Sequence, residues 1–213
     1  MSKVRVHNFA VSLDGYGAGA DQSMEQPFGH ADGRLMSWFM GTRSFHAMQG
    51  QEGGSTGVDE SFASAWGPGI GVEIMGRNKF GPQRGPWTDD DWIGWWGDEP
   101  PFHTPVVVLT HHPREPLALE GTTFHFVDAA PREALAEARA LAPDTDVRIG
   151  GGVETVREFL EADLIDHLHV AVVPIVLGRG EQLWTGLERV EERFDIETTA
   201  SPSGVTHLVF TRK

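Results

Sequence analysis

The chain has 213 residues and a formal net charge of −14 at pH 7, an acidity that repels nucleic acids and anionic membranes, so neither is expected as a partner. It contains no cysteine, which excludes disulfides, thiolate metal sites and cysteine nucleophiles. With no apolar run of membrane-spanning length and no secretory leader, the sequence predicts a cytoplasmic protein.

The first half of the chain alternates predicted strands with helical segments. A buried strand begins near residue 3 and ends at the turn pair Asp14-Gly15. Residues 32–48 have apolar side chains at helical spacing, and residues 50–57 form a flexible loop. The segment "IGVEIMGRNKFG" predicts a second strand that continues into a helix start at residues 76–78.

Residues 81–105 are rich in proline, glycine and tryptophan and predict a long irregular insertion. Trp87, Trp92, Trp95 and Trp96 all lie in one short part of it. These side chains can form a lid or an aromatic wall for a flat heterocycle, or they can be buried in a dimer interface. The sequence leaves both alternatives open.

The second half repeats the strand-then-helix pattern and closes with a hairpin. Strands are predicted in "TPVVVLTHHPR", "TTFHFVD", "DVRI" and "IDHLHVAVVPIVLG", and helices in "APREALAEARAL" and "VETVREFLEADL". The C-terminal hairpin turns at residues 201–204. The sequence therefore predicts one α/β domain over residues 1–213. A mixed, mostly parallel sheet would carry helices on both faces and antiparallel strands at one edge.

Three glycines, Gly150, Gly151 and Gly152, stand where a predicted strand continues into a helix. Ligands of open α/β sheets bind beyond the carboxyl ends of the strands, and a helix start there presents unpaired N–H groups that suit phosphate. Glycine lets phosphate oxygens approach those groups. A tight turn without a ligand explains the same residues, and Glu154 in the first helical turn disfavours an anion.

Two other predicted strand ends carry polar side chains. "IMGRNKFG" places Arg77, Asn78 and Lys79 at a helix start, where Arg77 can bind a phosphate in bidentate fashion. "VVVLTHHP" ends with Thr110 and His111. A solvated helix cap is the alternative at residues 77–79. Three strand ends with complementary donors favour a long polyanionic ligand such as a dinucleotide.

Five motifs occur in the order "SLDG", "MGRNKFG", "VLTHHP", "IGGGVET" and "VVPIVLGRGEQLW". Together they resemble the dihydrofolate reductase-like superfamily, and within it the C-terminal domain of the bifunctional deaminase–reductase of riboflavin biosynthesis. The resemblance implies the three-layer fold of that superfamily and an NADPH-dependent oxidoreductase. Such an enzyme transfers hydride to a small pyrimidine- or pterin-like heterocycle or a related carbonyl or imine. A homodimer is expected, and a catalytically degenerate dimer that binds a nucleotide or metabolite is the alternative.

The resemblance also implies the residues that surround NADPH. These are Gly76, Arg77 and Asn78 at the adenosine-side phosphates, with Arg77 at the 2′-phosphate; Thr110 and His111 along the adenosine; Gly151, Gly152, Val153 and Thr155 at the pyrophosphate; Ala10, Val11 and Ile149 near the nicotinamide; and Leu109, Gly150 and Glu154 beside them. In this fold the glycine pair after the strand commonly carries a cis peptide bond.

The substrate side is less defined. Asp14 is a candidate proton donor, and an aspartate that only begins a turn is the alternative. The expected substrate pocket comprises Asp32, Met36, Phe39, Trp95 and Trp96. Folate reductases place a carboxylate four residues before the phenylalanine of their substrate helix, and this chain has Leu35 there, which argues against folate. The histidines show no metal-binding spacing, so no metal is expected.

Overall fold

The computed structural model describes residues 2–81, 83–88 and 91–213, so Pro82, Asp89 and Asp90 of the predicted insertion lie outside the described residues. The strands are β1 (Val4–Ser12), β2 (Tyr16–Ala18), β3 (Ile70–Gly76), β4 (Val106–Leu109), β5 (Leu117–Leu119), β6 (Thr122–Val127), β7 (Asp146–Gly151), β8 (His167–Val173), β9 (Glu181–Gln182), β10 (Phe194–Ala200) and β11 (Thr206–Arg212). The helices are α1 (Ser37–Met40), α2 (Arg43–Met48), α3 (Val58–Ala63), α4 (Arg77–Phe80), α5 (Pro131–Leu141) and α6 (Val153–Glu161).

The described residues form a nine-stranded sheet in the order β10-β11-β8-β1-β7-β3-β4-β6-β5. The strands from β8 to β6 are parallel, while β10 and β11 at one end of the sheet and β5 at the other pair in antiparallel fashion. This arrangement confirms the predicted mixed, mostly parallel sheet and its C-terminal hairpin. A second sheet of only β2 and β9 was not predicted, because segments of two or three residues carry no periodicity.

The two faces of the sheet are covered differently. On one face, α5 and α6 pack over apolar side chains of the central strands such as Val72, Ile74 and Ile149. The opposite face, which we call the α1 face, carries the alternate residues of the same strands. There the segment around α1 packs Leu35 and Trp38 against β1 and β8. Both faces are therefore buried, as a parallel sheet requires.

The tryptophan-rich insertion covers the remainder of the α1 face, over β3, β4 and β6. The Trp96 ring lies 4.7 Å from Phe102 and the Trp87 ring lies 5.4 Å from Phe126. Trp87, Trp92 and Trp96 pack around a buried cluster that contains Phe124 and Phe126. The insertion thus takes the place of a covering helix, a role that neither sequence alternative anticipated.

Two predicted elements are shorter in the structure. Instead of one helix over residues 32–48 there is a 3-10 segment (Gly29–Leu35) followed by α1 and α2. Thr42 has an extended conformation (φ −85°, ψ 158°), which divides α1 from α2. The strand predicted over 165–178 ends at Val173, because Pro174 has no N–H to continue the ladder. Among the described helices, none is long and apolar enough to span a membrane.

A row of histidine hydrogen bonds joins α3 to the sheet. The backbone N–H of Asn8 donates to Nδ1 of His169 (3.1 Å), which leaves the His169 proton on Nε2. That proton is donated to Nδ1 of His207 (2.9 Å), and His207 Nε2–H is donated to Asp59 (2.9 Å). Each ring is therefore neutral with a defined tautomer. Phe62 stacks on both rings.

We expect the protein to lose stability as the pH falls below 6.5. Burial lowers the pKa of His169 to about 3, and burial together with Arg5 lowers the pKa of His7 to about 2. The unfolded chain takes up protons near pH 6.5 that the folded protein does not, so unfolding is favoured between pH 6.5 and those values. Each of these two histidines should lower the free energy of unfolding by up to about 2 kcal/mol between pH 7 and pH 5.

Urea unfolding at pH 7, 6 and 5 measures this slope. His169→Gln should flatten it, whereas the control His111→Gln, at an exposed position, should leave it unchanged. An equal slope in the wild type and in His169→Gln would refute the assignment to His169.

Candidate functional site

A cleft of about 550 Å³ opens at the edge of the sheet where β3, β4 and β6 end and α6 begins. Parallel strands bring their carboxyl ends to one edge, so polar residues that are distant in sequence meet there. Most of the predicted cofactor residues line this cleft: Gly76, Arg77, Asn78, Leu109, Thr110, His111, Gly152, Val153, Glu154 and Thr155. The structure therefore brings together the three strand ends that the sequence analysis singled out.

The remaining predicted cofactor residues lie beside the cleft and do not line it. Val11 and Ile149 are buried under α5 and α6, and Ala10 is buried on the α1 face. Gly150 and Gly151 form the end of β7. The bond between Gly151 and Gly152 is cis, as the resemblance implied.

The sequence analysis missed part of the cleft wall. The additional lining residues are Gln83, Arg84, Gly85, His112, Asp128, Ala129, Ala130, Pro131, Glu158 and Glu181. Asp128 to Pro131 follow β6, and the rule used for the other strand ends would have found them. Glu181 lies on β9, whose position depends on the unpredicted second sheet.

The first two glycines of the run are required by the protein itself. A Cβ on Gly150 would lie 2.0 Å from Oε1 of Glu73 and 2.5 Å from Nζ of Lys79, so a side chain would displace that ion pair. Gly151 has a φ of +116°, which residues with a side chain rarely adopt. Neither residue needs a ligand to explain it.

Gly152 is different, because neither its φ nor a contact with a described residue beyond its chain neighbours requires a glycine. Its φ of −67° suits any residue, and a Cβ there would meet no described atom within 4 Å. That open space belongs to the cleft. Gly152 is the N-cap of α6 and makes no side-chain cap, so the first N–H groups of this nine-residue helix face the cleft without a capping partner. This is the geometry of an anion site at a helix start.

Arg77 forms part of the opposite wall. Its guanidinium lies 3.8 Å above the Trp87 ring, and Nη1 donates to the carbonyl of Gly85. Nε and Nη2 are buried and have no hydrogen-bond partner among the described residues. Two adjacent unpaired N–H donors are the fork with which arginine binds a phosphate. Because α4 has only four residues, the helix start predicted here adds little dipole.

Thr110 and His111 lie where β4 ends. The backbone N–H of Thr110 donates to the carbonyl of Val127 (2.9 Å), and its hydroxyl accepts from the N–H of His112 (3.1 Å). His111 is exposed and pairs with Asp128 (3.1 Å). At the neighbouring strand, a Cβ on Gly76 would lie 2.4 Å from the Thr155 hydroxyl, so the end of β3 touches the first turn of α6.

The cleft also carries carboxylates that oppose an anionic ligand. Burial raises the pKa of Glu158, and nearby Glu154 and Glu161 raise it further. Burial likewise raises the pKa of Glu181, which Arg84 partly offsets. Arg77 and Arg84 must therefore outweigh these side chains for a phosphate to bind.

Asp14 has a structural role in the turn that follows β1. Its carboxylate accepts hydrogen bonds from the Ser12 hydroxyl (2.6 Å) and the backbone N–H groups of Leu177 (3.1 Å) and Gly178 (2.6 Å). The Ser12 bond, together with the two backbone bonds, lowers the pKa of Asp14 to about 2. A carboxylate that is ionised at neutral pH is a poor proton donor, so these contacts favour the alternative of a turn-initiating aspartate.

The predicted substrate residues lie in the two different segments that cover the α1 face. These two covers are the segment around α1 and the tryptophan-rich insertion. Met36 and Phe39 are half-buried beside Leu35, whereas Asp32 is exposed. Trp95 contacts Trp92, and Trp96 packs in the insertion against Phe102. Leu35 is fully buried, so the position where folate reductases have a carboxylate is apolar core here.

The profile of the RibD C-terminal domain family matches residues 3–206. The chain belongs to the RibD C-terminal domain family. A search of curated protein sequences found no match.

Among the residues that the structure describes, no group of three or more histidine and acidic side chains is arranged to hold a metal ion.

Solved structures share the fold of this RibD family member. A candidate riboflavin biosynthesis protein from Shewanella sp. PV-4 has a TM-score of 0.60 at 23% identity, covering 100% of this chain and 99% of that chain. The diaminohydroxyphosphoribosylaminopyrimidine deaminase/5-amino-6-(5-phosphoribosylamino)uracil reductase of Thermotoga maritima has a TM-score of 0.56 at 14% identity. The match covers 100% of this chain and 57% of that one. At these identities the likeness shows the fold alone.

The three glycines should respond differently to alanine. Gly150→Ala and Gly151→Ala should each lower the free energy of unfolding by roughly 1–3 kcal/mol, the first by displacing Glu73 and Lys79 and the second through backbone strain. Gly152→Ala should change it by less than about 0.5 kcal/mol. Urea unfolding followed by tryptophan fluorescence measures all three. A destabilised Gly152→Ala would show that the fold itself requires this glycine.

Proposed function

We propose that the protein is an NADPH-dependent reductase that transfers hydride to a small heterocycle of the pyrimidine type. Membership in the RibD C-terminal domain family supports a reductase. One observation carries the choice of cofactor. The uncapped start of α6, with open space at Gly152, faces a cleft whose other wall contains Arg77, and Nε and Nη2 of Arg77 have no hydrogen-bond partner among the described residues. Both features fit the phosphates of a dinucleotide.

In this proposal the protein binds and orients the cofactor. The N–H groups at residues 152–155 hold the pyrophosphate, Arg77 binds the 2′-phosphate, and Thr110 and His111 contact the adenosine. Bound NADPH supplies the hydride from its nicotinamide ring. Ala10 and Gly151 at the ends of β1 and β7 support that ring, and the two covers of the α1 face exclude water from it.

The apolar residue at position 35 argues against a pterin as the substrate. With Leu35 buried in the core and Asp32 exposed, no carboxylate of this helical segment binds a pterin as in folate reductases. The reductase named in the Thermotoga maritima protein acts on an aminouracil, which supports a pyrimidine. The single domain, the homodimer and the cytoplasmic location stay predictions of the sequence.

Alanine at two positions tests the cofactor. Gly152→Ala should weaken NADPH binding at least tenfold, because a methyl group would occupy the phosphate position. Arg77→Ala should weaken NADPH binding by roughly 10- to 100-fold and NADH binding much less, because only NADPH has the 2′-phosphate. Fluorescence titration measures both affinities.

Gly67→Ala is the matched control, since Gly67 also has a negative φ and no atom within 4 Å of a built Cβ. It should bind NADPH normally. The proposal would be refuted if the wild-type protein did not respond to millimolar NADPH. Equal losses of affinity for NADPH and NADH in Arg77→Ala would show that Arg77 does not bind the 2′-phosphate.

The carboxylates of the cleft should make binding depend on pH. At pH 8, Glu158 is ionised and repels the phosphates, so Glu158→Gln should bind NADP⁺ roughly threefold more tightly than wild type at low ionic strength. Because the pKa of Glu158 is raised, the wild-type carboxyl takes up its proton at a higher pH than an ordinary glutamate, so the advantage should shrink as the pH is lowered. Calorimetric titration of both proteins at each pH isolates this group. Weaker binding by Glu158→Gln would instead make Glu158 a ligand of the cofactor.

A further inference from the structure

A buried cluster of three charged side chains lies beside the glycine run. Glu73, on β3, is 2% exposed and uses both carboxylate oxygens. Oε1 accepts from Nζ of Lys79 (2.7 Å), and Oε2 accepts from Nη1 of Arg148 (2.9 Å) on β7. Glu73 and Arg148 are register partners across the two strands, so the pair is fixed by the sheet.

The cluster has one positive charge in excess. One carboxylate faces two cations in a chain of net charge −14, and an uncompensated buried charge is costly unless another group shares it. The Lys79 side chain is 24% exposed and that of Arg148 only 12%, so Lys79 is the more accessible of the two cations. Among the described residues its ammonium donates only to Glu73, which leaves two of its three N–H donors.

The ammonium points to the substrate side of the sheet. Glu73, Arg148 and Gly150 alternate with Val72, Ile74 and Ile149, which are buried under α5 and α6, so they lie on the α1 face. Nζ of Lys79 lies directly over Gly150. Phe102 of the insertion is 5.5 Å from Nζ, and Trp66 is 4.6 Å from the Arg148 guanidinium. The cluster thus lies between the two covers of this face, with an aromatic ring on either side.

We propose that Lys79 is the substrate-binding cation of the reductase, donating hydrogen bonds to a ring carbonyl oxygen of a flat imide- or amide-type heterocycle while Glu73 and Arg148 hold it in position. The inference rests on the proposed function, which places the nicotinamide at the neighbouring ends of β1 and β7. A heterocycle stacked on that ring would lie between Phe102 and Trp66 and within reach of the ammonium. A ring carbonyl oxygen is an acceptor that the two remaining N–H donors can bind.

The electrostatics of the cluster agree with this role. Burial lowers the pKa of Lys79 and Arg148 lowers it further, while Glu73 opposes both. A more acidic ammonium donates stronger hydrogen bonds to a neutral carbonyl oxygen than an exposed lysine does. Glu73 serves as a positioning residue because it contacts Lys79 and is itself almost fully buried.

The sequence makes Lys79 directly observable. The chain has three lysines, Lys3, Lys79 and Lys213, so protein labelled with ¹³Cε-lysine gives three signals. Lys79→Arg identifies the Lys79 signal by its loss. We expect 5,6-diaminouracil, which carries two ring carbonyls and no phosphate, to shift the Lys79 signal of the NADP⁺-saturated protein and to leave the other two unchanged.

Three results would overturn the inference. They are an unshifted Lys79 signal at millimolar diaminouracil, a shift produced by ribose 5-phosphate but not by diaminouracil, and unchanged diaminouracil affinity in Lys79→Met. In that variant we expect at least a tenfold loss of diaminouracil affinity by ligand-observed NMR, partial rescue by Lys79→Arg, and NADP⁺ affinity within twofold of wild type. Lys3→Met is the control. The wild-type titration decides the question if Lys79→Met does not fold.

The same samples test the proposed function independently. NADP⁺ is titrated before diaminouracil is added, and the absence of a response to NADP⁺ would refute the reductase proposal. If NADP⁺ binds and Lys79 does not respond, the reductase proposal stands and the role of Lys79 is rejected.

Discussion

The parallel alignment of the central strands is the constraint on which the rest of this structure depends. From β8 to β6 each neighbour is hydrogen-bonded in the same direction, so the ends of β3, β4, β6 and β7 meet at one edge. No strand end is a binding site alone. Together they place an arginine, a glycine-led helix start and small polar groups around one cleft. The chemistry proposed for the protein follows from that convergence.

The glycine run at 150–152 shows how one short motif can satisfy three separate demands. Gly150 makes room for the Glu73–Lys79 pair on the α1 face, and Gly151 adopts a backbone conformation that a side chain would strain. Gly152 leaves space on the cleft side. The motif therefore joins the α1 face of the sheet to the cleft, and each of its three glycines has a separate role.

The sequence predicted the architecture and half of the residues that line the cleft, because both follow from apolar patterning and from strand ends. Short apolar segments located β3, β6 and β7, and the motif order identified the family. Apolar patterning and strand ends do not predict which side chains that are distant in sequence make contact. Lys79 was grouped with Arg77 at a helix start, but one turn of helix directs it to the opposite side, where it meets Glu73. Glu181 and Asp14 depend on the path of residues 174–182, which has no periodic signal.

The tryptophan-rich insertion limits how a substrate can enter. Its rings complete the core over Phe124 and Phe126, so swinging the segment outward would expose several aromatic side chains to water at about 25 cal/mol for every Å². The opposite cover is built from short helical pieces around α1 and α2, which are separated by Gly41 and pack fewer large rings. The α1 face is therefore covered by two unlike segments, one built from aromatic rings and the other from short helical pieces.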